Sequence, residues 1–274
     1  MKIAVIGHTG MTGRALTDTL LRRGHEVTGV SRSALDRPDG DTPGTLTQVA
    51  RDVFDVRALA EVLPGHDVVV SCFSGGHEVD LEVYYRQAEG TRRIIQAFRR
   101  SGAGYLMYVG GAASLRVDPH TQMFDDPRFP AWYFGIMPAE HLTWLGDITG
   151  EAFFHEAALR KRSGLVPEGV SDAELEKHVE SWKRVPLLEG CRIALDLFEH
   201  RTDFRWSFLS PPWLYRPGPG TGCYHLGVDH MLYDRGVPAG IDLPDLALAL
   251  ADEAERQALV HKHWTVAGRC TCRN

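Results

Sequence analysis

A short run near the amino terminus has the residue types and spacing that phosphate chemistry requires. Gly7-His8-Thr9-Gly10-Met11-Thr12-Gly13 follows the apolar run Lys2–Ile6 and opens a segment of helical period. Glycine lets a strand turn tightly, lets the backbone approach a pyrophosphate, and lets a helix pack close to its sheet. The helix start then offers N–H groups that the helix itself cannot satisfy, aimed at an anion. The spacing is Gly-x-x-Gly-x-x-Gly, and glycines alone are weak evidence. The strand-turn-helix setting is what assigns Gly7, Thr9, Gly10, Met11, Thr12 and Gly13 to nucleotide binding.

The end of the second strand decides which nicotinamide nucleotide fits. An acid there bonds the ribose 2′-hydroxyl of NAD, whereas a cation accommodates the 2′-phosphate of NADP. The residues are Val30-Ser31-Arg32. A hydroxyl and a guanidinium in place of a carboxylate predict NADP, used as NADPH, with Arg32 as the phosphate partner. After the fourth strand, Ser74-Gly75-Gly76 forms a polar, glycine-bearing loop at a strand's carboxyl end, where open α/β sheets bind ligands.

The elements that must hold these residues follow from hydropathy. Lys2–Ile6, Glu26–Ser31, Thr45–Val53, Asp67–Cys72 and Gly104–Val109 read as strands, separated by helices at Thr12–Arg23, Arg57–Val62 and Leu81–Arg100. Near-continuous apolar strands alternating with helices predict an α/β fold, a doubly wound parallel sheet of Rossmann type. The second half is less regular. Leu187–His200 and Leu243–Glu255 read as helices, the latter with Asp242 as N-cap, and Trp206–Leu209 and Trp264–Val266 as strands. Ser171-Asp172-Ala173-Glu174 has capping-box spacing and predicts a helix running toward Lys183.

The chain has 274 residues, 43% hydrophobic and 24% charged, with a formal net charge of −6. Neither sign is gathered into long runs, which argues against a nucleic-acid or anionic-membrane partner. No stretch is long enough to span a bilayer, and the start lacks a signal-peptide pattern. The cysteines, 5 in number, are scattered and suit reduced thiols in a cytoplasm. His261-Lys262-His263 with Cys270 and Cys272 could form a zinc site, but the spacing is not that of a standard finger and no metal is expected.

The glycine turn, Arg51-Asp52-Val53 after the third strand and Val109-Gly110-Gly111-Ala112-Ala113-Ser114-Leu115 after the fifth resemble the atypical short-chain dehydrogenases/reductases. The nearest branch is the one containing biliverdin reductase B, flavin reductase-like and NmrA-like proteins. Phe129-Pro130, Trp206–Pro211, Pro217-Gly218, Thr221-Gly222 and Trp264–Gly268 continue the likeness, which covers roughly residues 1–135 and 186–268. It implies that Asp52 and Val53 border the adenine, that Ser74 and Gly75 line the path of ribose and nicotinamide, and that Ser114 reaches the substrate. The usual Tyr-x-x-x-Lys of carbonyl-reducing members is absent, because Tyr133 is followed at that distance by Met137 and Tyr84 by Ala88.

The sequence thus predicts one Rossmann-like domain over residues 1–274 that transfers hydride from NADPH to a small conjugated or aromatic carbonyl, quinone or flavin-like substrate. Ser114 is the first candidate for polarising the acceptor and Tyr133 the next, as hydrogen-bond or proton donor. His77 and His141 are weaker candidates for the acid. Residues 136–185 read as a helical insertion, serving as a lid, a pocket wall or a subunit contact in a homodimer. Its candidates are His141, Trp144, Phe153, Phe154, His155, His178, Trp182 and Lys183. Trp213 and Tyr215 would add an aromatic wall. Two other functions stay open, a cofactor-retaining isomerase, epimerase or dehydratase, and an NmrA-like redox sensor that binds NADP without turnover.

Overall fold

Alternation of apolar side chains builds the central layer. In the first strand Ile3 and Val5 point to one face and Ala4 and Ile6 to the other, none more than 1% exposed, as the two-residue period of a strand dictates. The structure, a computed structural model, describes residues 1–34, 41–78, 80–182 and 185–268.

In chain order the first half comprises β1 (Lys2–Ile6), α1 (Met11–Arg22), β2 (Glu26–Ser31), β3 (Thr45–Ala50), α2 (Val56–Val62), β4 (Val68–Ser71), α3 (Leu81–Ser101) and β5 (Leu106–Val109). Four helices follow, α4 (Ala131–Gly135), α5 (Ala139–Thr149), α6 (Ala152–Arg162) and α7 (Ala173–Val179), then α8 (Pro186–Asp196). The remainder is β6 (Trp206–Leu209), β7 (Leu214–Arg216), β8 (Tyr224–Val228), β9 (Tyr233–Asp234), β10 (Val237–Pro238), β11 (Gly240–Asp242), α9 (Leu243–Arg256) and β12 (Lys262–Gly268).

The main sheet runs β3-β2-β1-β4-β5-β6-β12-β8. All neighbours are parallel except β8, which closes the edge antiparallel to β12. The order reverses at β1, from which successive strands step outward first on one side and then on the other. The crevice above the carboxyl ends of β1 and β4 is therefore the topological switch point, where open α/β sheets take their ligands.

One face of the sheet is covered by α1 and α9, whose Leu16, Leu20, Leu246 and Leu250 meet Ile3, Val5 and Val68. The other is covered by α2, α3 and α8, with Leu59, Ile94, Phe98 and Leu195 against Ala4, Ile6 and Val69. Such burial on both faces is why the strands read as continuous apolar runs. Helix α3 is bounded by chemistry visible in the sequence. Asp80 accepts from the Glu82 amide at 2.9 Å at its start, and Gly102, with φ of 70°, ends it in the left-handed conformation.

A third apolar cluster lies beyond the sheet's carboxyl edge, where α4, α5, α6 and α7 gather Phe134, Leu142, Phe154 and Leu175 around Trp213. The described part of 136–185 is thus largely helical. The capping box departs from expectation by one residue, since Asp172 rather than Ser171 sits at the N-cap and accepts from the amides of Glu174 and Leu175. The helix ends at Val179, and Lys183 lies outside the described residues. Asp242 stands at the N-cap of α9 but makes no capping bond, and its carboxylate accepts from the Gly220 amide at 3.2 Å instead. Thr45–Val53 leaves the sheet at Ala50, because Asp55 caps α2 soon after by accepting from the Ala58 amide.

Phe198 is fully buried and packs against Tyr108, Phe204, Trp206 and Phe208 at centroid distances of 5.3 to 6.1 Å. It joins α8 to β5 and β6. Phe198→Ala is expected to lower unfolding free energy by about 3–5 kcal/mol, the usual cost of emptying such a site, read as a shift in urea midpoint at unchanged slope.

Candidate functional site

The glycine turn places backbone where no side chain fits. Gly7 has φ of +79°, and a Cβ there would stand 2.7 Å from the carbonyl oxygen of Cys72 at the end of β4. A Cβ on Gly13 would lie 2.1 Å from the Gly7 carbonyl oxygen. Gly10 is the N-cap of α1 and offers no side-chain cap, and the first turn holds no acidic residue. The Arg14 amide is the first to return to the Gly10 carbonyl, at 2.8 Å. The amides of Met11, Thr12 and Gly13 are left without intrahelical acceptors at the positive end of the helix dipole. His8 supports the turn from beneath, bonding Ser31 at 2.7 Å and Gln48 at 3.0 Å.

Two compartments meet at this turn. The first, of about 320 Å³, lies over the carboxyl ends of β1, β2 and β3 and is lined by Thr9, Arg32, Arg51, Asp52, Val53 and Gly75, among others. Arg32 and Arg51 make its far end cationic, and among the described residues neither forms an ion pair. The second, of about 340 Å³, shares Gly10, Cys72, Phe73, Ser74 and Glu78 with the first. Its wall is largely apolar, with Phe134, Met137, Trp144, Phe154, Trp182 and Trp213. Burial pushes the thiols of Cys72 and Cys191, both in this wall, up to about 12, so they stay protonated near neutral pH.

The polar groups of the second compartment are few. Tyr215 lines it and hydrogen-bonds the Thr12 hydroxyl, and burial raises its pKa, so the phenol keeps its proton. His77 and the Glu78–Arg86 ion pair stand at the rim. His141 is 2% exposed, its Nδ1 has no hydrogen-bond partner, and burial, with Arg216 adding to it, lowers its pKa to about 3. It is therefore neutral at physiological pH.

The expected cofactor residues come together, except that Gly13 borders neither compartment and packs against the Gly7 carbonyl. Gly7, Thr9, Gly10, Arg32, Asp52, Val53, Ser74 and Gly75 all border the first compartment, and Gly10, Met11, Thr12 and Ser74 the second. Ser114 and Tyr133 are placed elsewhere and border neither. The Ser114 hydroxyl donates to the Gly111 carbonyl at 2.9 Å and pairs with Ser210 at 2.7 Å, and Ser210 in turn pairs with His263. The Tyr133 hydroxyl donates to Asp126 at 2.8 Å. Burial alone would raise Asp126, but donors from Arg128 and Tyr133 outweigh it and hold the carboxyl below its usual range. Both hydroxyls serve to fasten the floor and flank of the cleft.

Of the helical segment's candidates, His141, Trp144, Phe154 and Trp182 reach the cleft. Phe153 stacks on His178, and His155 approaches Asp147. Residues Pro217–Gly222 border neither compartment and are fastened instead by Asp242 and Asp245. His261 bonds the Phe204 carbonyl and His263 is occupied by Ser210 and Asp229, while Cys270 and Cys272 lie outside the described residues. Among the described residues no His, Cys, Asp and Glu group is arranged to hold a metal, and no helix is long and apolar enough to cross a membrane. Arg51 was legible only as part of a motif, and its position beside Asp52 at a strand end was the signal for its place in the first compartment. Phe134 and Met137 gave no comparable signal.

Residues 7–142 match the protein family described as NAD(P)H-binding. The chain is 25% identical to the uncharacterised protein YwnB of Bacillus subtilis over 269 residues, 97% of this chain and 98% of the relative. Its fold is shared with a Streptococcus pneumoniae protein provisionally named an NADH-flavin reductase, at TM-score 0.68 and 22% identity over 98% of this chain and 100% of that one. A Bacteroides thetaiotaomicron protein provisionally named an epimerase matches at TM-score 0.66 and 23% identity over 97% and 96%. The segment 136–185 falls within these shared lengths.

Ser114→Ala, which loses two hydrogen bonds, and Tyr133→Phe, which loses one, are expected to act on stability, each by about 1–2 kcal/mol. Denaturant titration reads that loss, while NADP⁺ affinity measured by calorimetry stays within twofold. A tenfold loss of affinity in either variant at intact fold would contradict the placement.

Proposed function

From a chain that is a Rossmann protein with an NAD(P)H-binding first half, we propose that it is an NADPH-dependent reductase of the atypical short-chain dehydrogenase/reductase type. Its acceptor is a small conjugated or aromatic carbonyl, quinone or flavin-like compound. The observation that carries this reading is the junction of two unlike compartments at one glycine turn, one ending in Arg32 and Arg51 and the other walled by aromatic rings.

The residues fit a dinucleotide. A glycine cradle that a Cβ would fill adjoins an uncapped helix start without acids, which suits a pyrophosphate. Arg32 and Arg51 suit a ribose 2′-phosphate, for which a guanidinium offers paired, charge-assisted bonds. Asp52 and Val53 border the space beside them and suit the adenine and its ribose. When bound, a nicotinamide cofactor supplies hydride.

The chain's own residues must then bind the acceptor, exclude water and orient the reacting carbon. Trp144, Trp182 and Trp213 offer flat apolar faces to a ring and leave little room for bulk solvent. The Tyr215 hydroxyl, held by Thr12, stays protonated at the turn where the compartments join. Cofactor-retaining isomerisation would call for a paired acid and base across a carbon centre. The carboxylate that lines this compartment, Glu78, is engaged by Arg86 at the rim. Free thiols at Cys72, Cys191 and Cys223 support a reducing, cytoplasmic setting.

NADPH should bind about 10–100-fold more tightly than NADH, the worth of a charge-assisted phosphate contact. Arg32→Asp should abolish that preference by weakening NADPH while leaving NADH within a few-fold, as measured by fluorescence titration of both nucleotides. An unchanged ratio would refute NADP selectivity. Reductase activity is checked separately by NADPH oxidation against a panel of quinones and aromatic ketones, and absence of turnover across the panel would favour a binding protein.

A further inference from the structure

Among the described residues, three arginines line the first compartment. Arg32 and Arg51 stand at its far end, whereas Arg86 stands beside Gly76 and Glu78, at the end that meets the second compartment. The Arg86 Nη2 lies 3.4 Å from a Glu78 carboxylate oxygen, well beyond the roughly 2.7–2.9 Å of a charge-assisted bond. We propose that Arg86 binds the pyrophosphate of the cofactor and that the Glu78 carboxylate competes with it for the same guanidinium. This rests on the dinucleotide reading and adds to it the side chain that answers the pyrophosphate.

Arg86 lies in the second turn of α3, next to Gln87, whose side chain accepts from the Gly75 amide at 2.7 Å and donates to the Tyr108 hydroxyl at 3.0 Å. Those bonds tie the helix to the loop after β4 and set the arginine against it. Gly76 has φ of +131°, and a Cβ there would meet Glu78 Oε2 at 2.2 Å and Arg86 Nη2 at 3.2 Å. Both charged tips therefore lie over bare glycine backbone. The carboxylate is the less enclosed partner, its side chain 67% exposed against 35% for Arg86. Its own amide first, and then Arg86, outweigh a small desolvation and hold its carboxyl below the usual range. Glu78 is thus an anion near neutral pH, and water screens so exposed a pair that little opposes its release.

Strand order decides which phosphate each arginine can serve. The order β3-β2-β1-β4 puts Arg32 and Arg51, just beyond β2 and β3, on one side of the glycine turn, and Arg86, over the loop after β4, on the other. The free amides of α1 stand between them, above β1 and β4. A pyrophosphate is doubly charged, and a helix start answers it with only about half a unit of positive charge. Arg14, in the first turn of α1, borders neither compartment, and no lysine does. Arg86 is therefore the cation on the β4 side of the cleft. Glu78 engages one of its N–H groups through one oxygen, whereas a phosphate can take two from the guanidinium fork.

The test titrates NADP⁺ and NAD⁺, which share the pyrophosphate and differ in the 2′-phosphate, into the full protein by calorimetry. The wild type is compared with Arg86→Gln, Glu78→Gln and the double variant, whose melting temperatures should match it. Arg86→Gln should weaken both nucleotides alike, by about tenfold, and Arg86→Lys, which keeps the charge, should recover part of that loss. Glu78→Gln should tighten both by about threefold, and should have no effect in the Arg86→Gln background, because the carboxylate acts by holding that arginine. A loss confined to NADP⁺ would assign Arg86 to the 2′-phosphate, and unchanged affinity in Arg86→Gln would leave it a surface ion pair. Tightening that persists in the double variant would make Glu78 a general repulsive charge, and weaker binding in Glu78→Gln would make it a cofactor ligand. Each of these four results overturns the inference and leaves the cofactor reading standing. Failure of the wild type to bind either nucleotide would instead strike that reading, and this inference with it.

Discussion

The contact on which the cleft depends is between backbones. The Gly7 turn lies so close to the end of β4, and the start of α1 so close to Gly7, that a methyl group at position 7 or 13 would overlap a carbonyl oxygen. This closeness lets α1 begin directly above the sheet, with its free amides over the gap between β1 and β4 rather than out in solvent. It also fixes where the two compartments join, because Gly10 borders both. A bulkier turn would lift α1 away from the sheet and separate the anion-binding amides from the apolar wall.

Around that contact the polar groups sort into those used by the protein and those left over. His8, Ser31 and Gln48 form one buried set under the turn, and Gln87, Thr91 and Tyr108 another that holds the Gly75 amide. A third runs through Gly111, Ser114, Ser210 and His263 and ties the ends of β5, β6 and β12 together. Low dielectric makes satisfied networks of this kind stiff, and it makes any unsatisfied member costly. The floor of the cleft is therefore rigid.

This sorting explains what could be read from the sequence. The order β1-α1-β2 and the residues that line the first compartment were legible because local rules write them: a period of two, a helix start, glycines that only a turn needs, and a cation at a strand end. Arg32, Asp52, Val53, Ser74 and Gly75 each follow from position just beyond the end of β2, β3 or β4. Ser114 and Tyr133 lie outside both compartments for the complementary reason. A hydroxyl's role depends on its partner, and the partners, Ser210 and Asp126, are set by packing across the fold for the first and by the path of an irregular loop for the second. The one-residue shift from Ser171 to Asp172 could not be read from the sequence, since both are good N-caps.

The division of labour between the two halves of the cleft has a physical consequence. The cationic compartment is built from strand ends and short loops of the sheet, whose positions are fixed by hydrogen-bonded register. Much of the apolar wall is built from α4, α5 and α6, which pack on one another and on Trp213 through aromatic contacts, such as Phe134 with Phe154 and Trp213. Contacts of that kind are non-directional and tolerate exchange of one apolar side chain for another of similar volume. The shape of the substrate space can therefore change by substitution within 136–185 while the glycine turn and its register stay untouched.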